Sequence, residues 1–122
     1  MTALLFIEHG TQKFLAFPPS EYFPEAPAIF SLMGIAGLLE LVGGALILIG
    51  LFTRPVAFVL SGFMAAAYFM GHAPMGFFPV SNMGESAILF CFVYLYLAFA
   101  GPGAWSVDAV RAKGGSPATV AA

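Results

Sequence analysis

Residues 28–52, AIFSLMGIAGLLELVGGALILIGLF, form an apolar run broken by a single charge, Glu40. At about 1.5 Å of rise per helical residue the run is long enough to cross the ~30 Å hydrocarbon core of a bilayer. Gly34, Gly37, Gly43, Gly44 and Gly50 stud it. Small residues let helix backbones approach closely in lipid, so this segment is expected to be a central helix that others pack against.

The rest of the chain reads outward from that span. Thr53, Arg54 and Pro55 form a short turn, with Pro55 suited to the first turn of the next helix. A second apolar run covers 55–72, where Gly62, Ala65 and Ala66 are further packing candidates, and a third covers about 84–100. Between them, APMGFFPVSNMGES supplies prolines, glycines and turn residues. GPG at 101–103 stops the last helix, and the tail SVDAVRAKGGSPATVAA is polar, small and expected to fray. Before the central run, PPSEYFPEAP ends any helix formed by residues 2–17. That first segment is short for a span: either one or two turns precede Met1 in a longer natural form, or the helix is short, tilted or half-inserted. It has no basic region and no small-residue cleavage site of a signal peptide.

Composition fixes the solvent. The chain of 122 residues is 61% hydrophobic and 8% charged, too few charges to cover a water-facing surface. Net charge is −2, which leaves no basic field for nucleic acid. The single cysteine, Cys91 in ILFCFVYLYL, makes no intramolecular disulfide and reads as a small apolar side chain. The expected fold is therefore all-α: an integral-membrane four-helix antiparallel bundle with a short or truncated first helix. Residues 1–103 form the membrane domain and 104–122 a polar cytoplasmic tail. Arg54, Arg111 and Lys113 fall on one side of such a bundle, while the loop bearing Glu21 and Glu25 carries no base. The bias of Lys and Arg toward the cytoplasm then puts both termini inside.

Six ionisable residues need a reason to be there, because each costs about 2.5–3.5 kcal/mol to insert at a helix centre. Glu8 pairs in register with Gln12, and His9 with Lys13, at i,i+4 on the first helix. Glu40 lies mid-way along the central span, His72 ends the next helix, and Glu85 begins the last. Helical rise places Glu8 about 13 Å and Glu40 about 18 Å below the outer surface, with Lys13, His72 and Glu85 nearer to it. The polar groups of all four helices are expected to share the outer half of the bundle. Plainer roles exist for each. Lys13 could snorkel to the interface. Asn82 and Glu85 could cap the last helix reciprocally. His72 could bond loop carbonyls, and Glu40 could be neutral or paired with Lys13 or a protonated His9. The two histidines differ in depth by about 12 Å, which argues against a haem or other metal held by both.

Several stretches together resemble the DoxX family of small bacterial membrane proteins. They are His9-Gly10 with Lys13, Glu40-Leu-Val-Gly43-Gly44, Gly50-Leu-Phe-Thr53-Arg54, Gly84-Glu85, and Gly101-x-Gly103-x-x-Ser106-x-Asp108. The resemblance covers most of the chain in the family's order. It departs at the start, where the first helix lacks its usual inner half, and Glu8 is not part of the shared pattern. It implies a four-helix protein of the bacterial inner membrane. Some relatives are linked to quinone-coupled oxidation of sulfur compounds or to redox-stress complexes, and most have no established activity.

Three functions fit these residues, and the sequence leaves open whether the protein is an enzyme. The first is a membrane subunit of a redox system with quinone as its candidate electron carrier, and with Glu8, His9, Lys13, Glu40, His72 and Glu85 as ligand-binding or proton-exchanging candidates. Quinone is then the only cofactor implied, and a redox partner subunit or a second copy the expected protein partner. The second is a non-catalytic scaffold in which the polar cluster is an internal clasp. The third is a small proton-coupled carrier, which would need dimerisation to enclose a path.

Overall fold

The computed structural model describes residues 1–115. It contains helices α1 (Thr2–Leu15), α2 (Leu32–Ile49), α3 (Thr53–Met75), α4 (Pro79–Asn82), α5 (Glu85–Ala100) and α6 (Val107–Gly114), and no strand among the described residues. Among the described residues only α2 and α3 are long and apolar enough to cross a membrane, with mean hydropathies of 2.3 and 1.5. At about 1.5 Å per residue α1 and α5 span roughly 21 and 24 Å, short of a full hydrocarbon core.

The central helix is shorter than 28–52. Ser31 sets its start: the hydroxyl donates to Ala28 O (2.6 Å) and accepts from Gly34 N (3.0 Å), closing the first turn as an N-cap. Gly50 sets its end with φ +68°, a left-handed conformation that a side chain would strain. Within α2 the turn Leu39–Gly43 widens to π-helical geometry, and Glu40 sits on it. Two faces of α2 are used. Gly37 and Gly44 admit Phe14 and Ile7 of α1, whereas Gly43 admits Leu60 of α3.

Packed neighbours run antiparallel, as the contacts show. Residues 7, 10 and 14 of α1 meet 44, 41 and 37 of α2. Along α3 and α5, Arg54 reaches Ala98 and Phe99, Ser61 Oγ donates to Cys91 O (2.8 Å), and Tyr68 lies against Gly84. Phe6 of α1 closes the centre, its ring 5.2 Å from Phe90 and 5.0 Å from Tyr94 of α5. With Ala57, Leu60 and Met64 of α3 these three rings make the buried core. Outside it, large apolar side chains such as Phe58 (65% exposed), Leu89 (66%) and Phe92 (65%) face outward. Less than a third of either spanning helix is buried within the protein. Water would not tolerate so broad an apolar shell, and lipid does.

Three local expectations change. Gly62 makes no packing contact, because α3 turns Ala57, Leu60, Ser61 and Met64 inward and leaves Gly62 outside. Asn82 and Glu85 do not cap α5 reciprocally. The N-cap is Gly84, and Asn82 is buried in the loop, where it donates to Gly76 O (2.7 Å) and accepts from Gly84 N (2.8 Å). Finally, residues 107–114 of the expected frayed tail form a helix, and residues 116–122 of it lie outside the described residues. Ser106 caps α6 by accepting from Ala109 N (3.1 Å), and the Asp108 carboxylate accepts from the amides of Phe52 (2.9 Å) and Thr53 (2.8 Å). Asp108 N in turn donates to Gly50 O (2.9 Å), which ties α6 to the α2–α3 turn. These amides, Thr53 above all, hold the Asp108 carboxyl below its ordinary range.

Candidate functional site

The six ionisable residues sort into a sealed pair, an open groove and two separate positions near the α3–α5 loop. Lys13 and Glu40 form a closed pair. Lys13 Nζ donates to both carboxylate oxygens, at 2.8 and 2.6 Å, and the two residues are 8% and 5% exposed. Helix packing explains the seal. The lysine stem passes over Gly37, where an added Cβ would lie 3.2 Å from its Cδ, and the Phe23 ring lies 5.4 Å from Nζ. Lys13 therefore does not snorkel to the interface.

Glu8 and His9 face elsewhere. The buried stripe of α1 is Ala3, Phe6, Gly10 and Lys13. At about 100° per residue, Glu8 points roughly opposite that stripe and His9 lies about 80° to its side. Both are exposed. Together with Leu5 and Gln12 they form one wall of an open groove of about 300 Å³, and Ser86 and Phe90 of α5 form the other. The His9 ring meets Phe90 edge-on, with centroids 5.9 Å apart. The groove thus offers a carboxylate, an imidazole, an amide and a hydroxyl beside an aromatic floor. Such a set can orient a planar ligand with hydrogen-bonding oxygens and exchange protons with it. It brings together no cluster suited to a metal ion among the described residues.

His72 and Glu85 belong to neither place. His72 Nδ1 lies 3.0 Å from Asn82 O, so that nitrogen carries the proton and donates to the carbonyl that tethers the α3–α5 loop. Glu85 is exposed in the first turn of α5, next to Ser86 of the groove. Burial thus separates residues that were expected to share the outer half of the bundle. Only the Lys13–Glu40 pair is enclosed, because α1 is wedged between α2 and α5 and shows a different flank to each.

Sequence reasoning missed Tyr94. Its ring is fully buried, stacked 6.0 Å from Phe90, and its hydroxyl has no hydrogen-bond partner among the described residues. Leaving a buried hydroxyl unsatisfied costs about 1–3 kcal/mol, a penalty that a phenylalanine at this position would not carry. Nothing in FVYLYL separates Tyr94 from Tyr96, which points outward at 69% exposure.

Comparison with known proteins adds the following. A family model described as DoxX matches residues 1–73. An uncharacterized protein of Haemophilus influenzae is 45% identical over 111 residues, covering 88% of this chain and 83% of its own. The inner membrane protein YqjF of Escherichia coli is 32% identical, covering 90% and 85%. The uncharacterized membrane protein Rv3486 of Mycobacterium tuberculosis is 28% identical, covering 88% and 75%. No solved structure matches the chain.

Proposed function

The chain belongs to the DoxX family of membrane proteins, and on that premise we propose that it is a membrane subunit of a redox system whose α1–α5 groove receives the head of a quinone. The observation that carries this reading is the convergence of Glu8, His9, Gln12 and Ser86 on one groove floored by Phe90. A quinone needs such a site: an aromatic surface for its ring, donors for its carbonyl oxygens, and groups that give and take protons as it is reduced and reoxidised. One side of the groove is α5, a short apolar helix, so an isoprenoid tail can run into lipid while the head is held.

In this reading α1, α2, α3 and α5 cross the bacterial inner membrane as a four-helix antiparallel bundle, with residues 1–103 as the membrane domain. Both termini face the cytoplasm, because Arg54, Arg111 and Lys113 gather at one end. The inner-membrane name of YqjF supports the location. Electrons pass to or from a partner subunit or a second copy.

The test is binding of a short-chain quinone analogue to the purified protein in nanodiscs. Replacing His9 by Ala removes a donor from the head group, so affinity falls about tenfold, as the loss of one ordinary hydrogen bond predicts. Equal affinity in wild type and His9→Ala contradicts the assignment. A second reading is favoured by a separate observation: the sealed Lys13–Glu40 pair exposes almost nothing to a ligand and joins α1 to α2 as a clasp would. If no quinone binds while a soluble enzyme co-purifies, a scaffold held together by that clasp is the function.

A further inference from the structure

Three of the chain's four Lys and Arg residues lie at one end of the helices; the fourth, Lys13, is spent on Glu40. Arg54 opens α3 and donates through Nη1 to the carbonyls of Ala98 and Phe99, capping α5. Its Nε and Nη2 have no protein partner among the described residues, and its guanidinium lies flat on Gly101, where an added Cβ would come within 2.9–3.1 Å. Arg111 of α6 sits over the Phe52 ring at 5.1 Å, with Lys113 following it. Asp108, whose carboxylate is held by the Phe52 and Thr53 amides, offsets part of the Arg111 charge and leaves three bases against one acid. The result is a positive rim with unspent donors.

That rim borders a crevice. Gly101, against which Arg54 rests, also lines a space of about 150 Å³ between the α2–α3 turn and the segment leading into α6. Ile47, Leu48 and Leu97 form its apolar wall, and Trp105, fully exposed, stands at its mouth. A fully exposed indole beside bases and apolar side chains is the pattern of a membrane interface.

We propose that this crevice holds an anionic phospholipid, its phosphate at Arg54 and the start of an acyl chain along Ile47, Leu48 and Leu97. Arg111 and Lys113 add the field that selects an anionic over a zwitterionic headgroup. The planar guanidinium suits phosphate because its free edge offers paired donors while the other edge stays on the α5 carbonyls. The Asp108 clasp sets the position of α6 and so keeps the rim and the crevice together.

Trp105 is the chain's single tryptophan, so its emission reports contact with this site alone. The experiment uses the full chain in phosphatidylcholine nanodiscs doped with brominated phosphatidylglycerol or, in parallel, the same fraction of brominated phosphatidylcholine. Each base engaged at an anionic surface favours the anionic lipid about fivefold, so the glycerol headgroup should quench Trp105 well beyond the choline one. Arg54→Gln should abolish that excess. Because Arg54 also caps α5, a second variant, Arg111→Gln with Lys113→Gln, leaves the cap intact and should reduce the excess. Equal quenching by the two lipids overturns the proposal, as does an excess retained in both variants. Loss of the excess on adding inorganic phosphate would assign the site to a free anion and overturn the lipid.

Discussion

Separating Lys13 from Glu40 should cost more than any other pairwise change in the protein, and removing both together should cost little. The pair is buried on both sides, with Nζ 2.6–2.8 Å from both carboxylate oxygens. Glu40→Leu leaves an ammonium enclosed by Gly37, Phe23 and α2 with no counter-charge, and Lys13→Met strands the carboxylate in the same way. Removing one partner of a buried ion pair typically costs about 3–5 kcal/mol. For a chain of this size that is a fall in melting temperature on the order of 10–20 °C. The double variant Lys13→Met/Glu40→Leu exchanges the pair for two apolar side chains of similar length and should recover most of the loss, since such replacements are often neutral or better. Thermal unfolding in one detergent, for all four proteins, gives the coupling directly. If the double variant is as unstable as the sum of the singles, the residues act independently and the clasp does not exist. If the singles melt like wild type, both groups reach water and the seal is absent.

Other outcomes follow from the same contacts. Asp108 has its carboxyl held down in the folded protein, so its contribution is full above about pH 3.9, its ordinary value, and is lost only as pH falls through the lower folded one. Protection of the Phe52 and Thr53 amides from hydrogen exchange, relative to the intrinsic rate at each pH, should therefore be high at neutral pH and fall in acid, and Asp108→Ala should lower it throughout. Gly37→Val should overpack the α1–α2 crossing and cost about 1–3 kcal/mol, whereas Gly62→Ala, which meets nothing, should be neutral or slightly stabilising; denaturation midpoints of the two compare them. Tyr94→Phe removes a buried hydroxyl without a partner and should hold or raise the melting temperature; a marked fall would mean that the hydroxyl is bonded after all.

Much of the architecture was legible because lipid imposes simple rules. An apolar run of sufficient length, broken only by Glu40, identifies α2; the break expected at Thr53-Arg54-Pro55 falls instead at residues 50–52, and those three residues form the first turn of α3. The Lys13–Glu40 pairing was within reach as one of three options for Glu40, since an ionised deep carboxylate needs a cation at its own depth. The division of α1 into a sealed and an open flank was not anticipated, although the spacing of Ala3, Phe6, Gly10 and Lys13 carried it. That stripe marks the buried side and turns Glu8 away from it. Which neighbour His9 meets depends on where α5 sits beside α1, a matter of tertiary packing that no local pattern encodes. The docking of α6 was hidden for a similar reason. Asp108 looks like an ordinary acid in the first turn of a helix until the left-handed residues Gly50 and Phe52 aim two free amides at it. Asn82 read as a helix cap because the loop whose groups it binds has no signature of its own.

The groove between α1 and α5 is the centre of the functional account, and photolabelling tests it most directly. A photoreactive quinone analogue, irradiated with the protein in nanodiscs and mapped by peptide mass spectrometry, should mark Leu5–Gln12 together with Ser86–Phe90, and excess unlabelled quinone should suppress both. Label confined to other helices, or label that competitor does not displace, would contradict a quinone-binding groove on this protein.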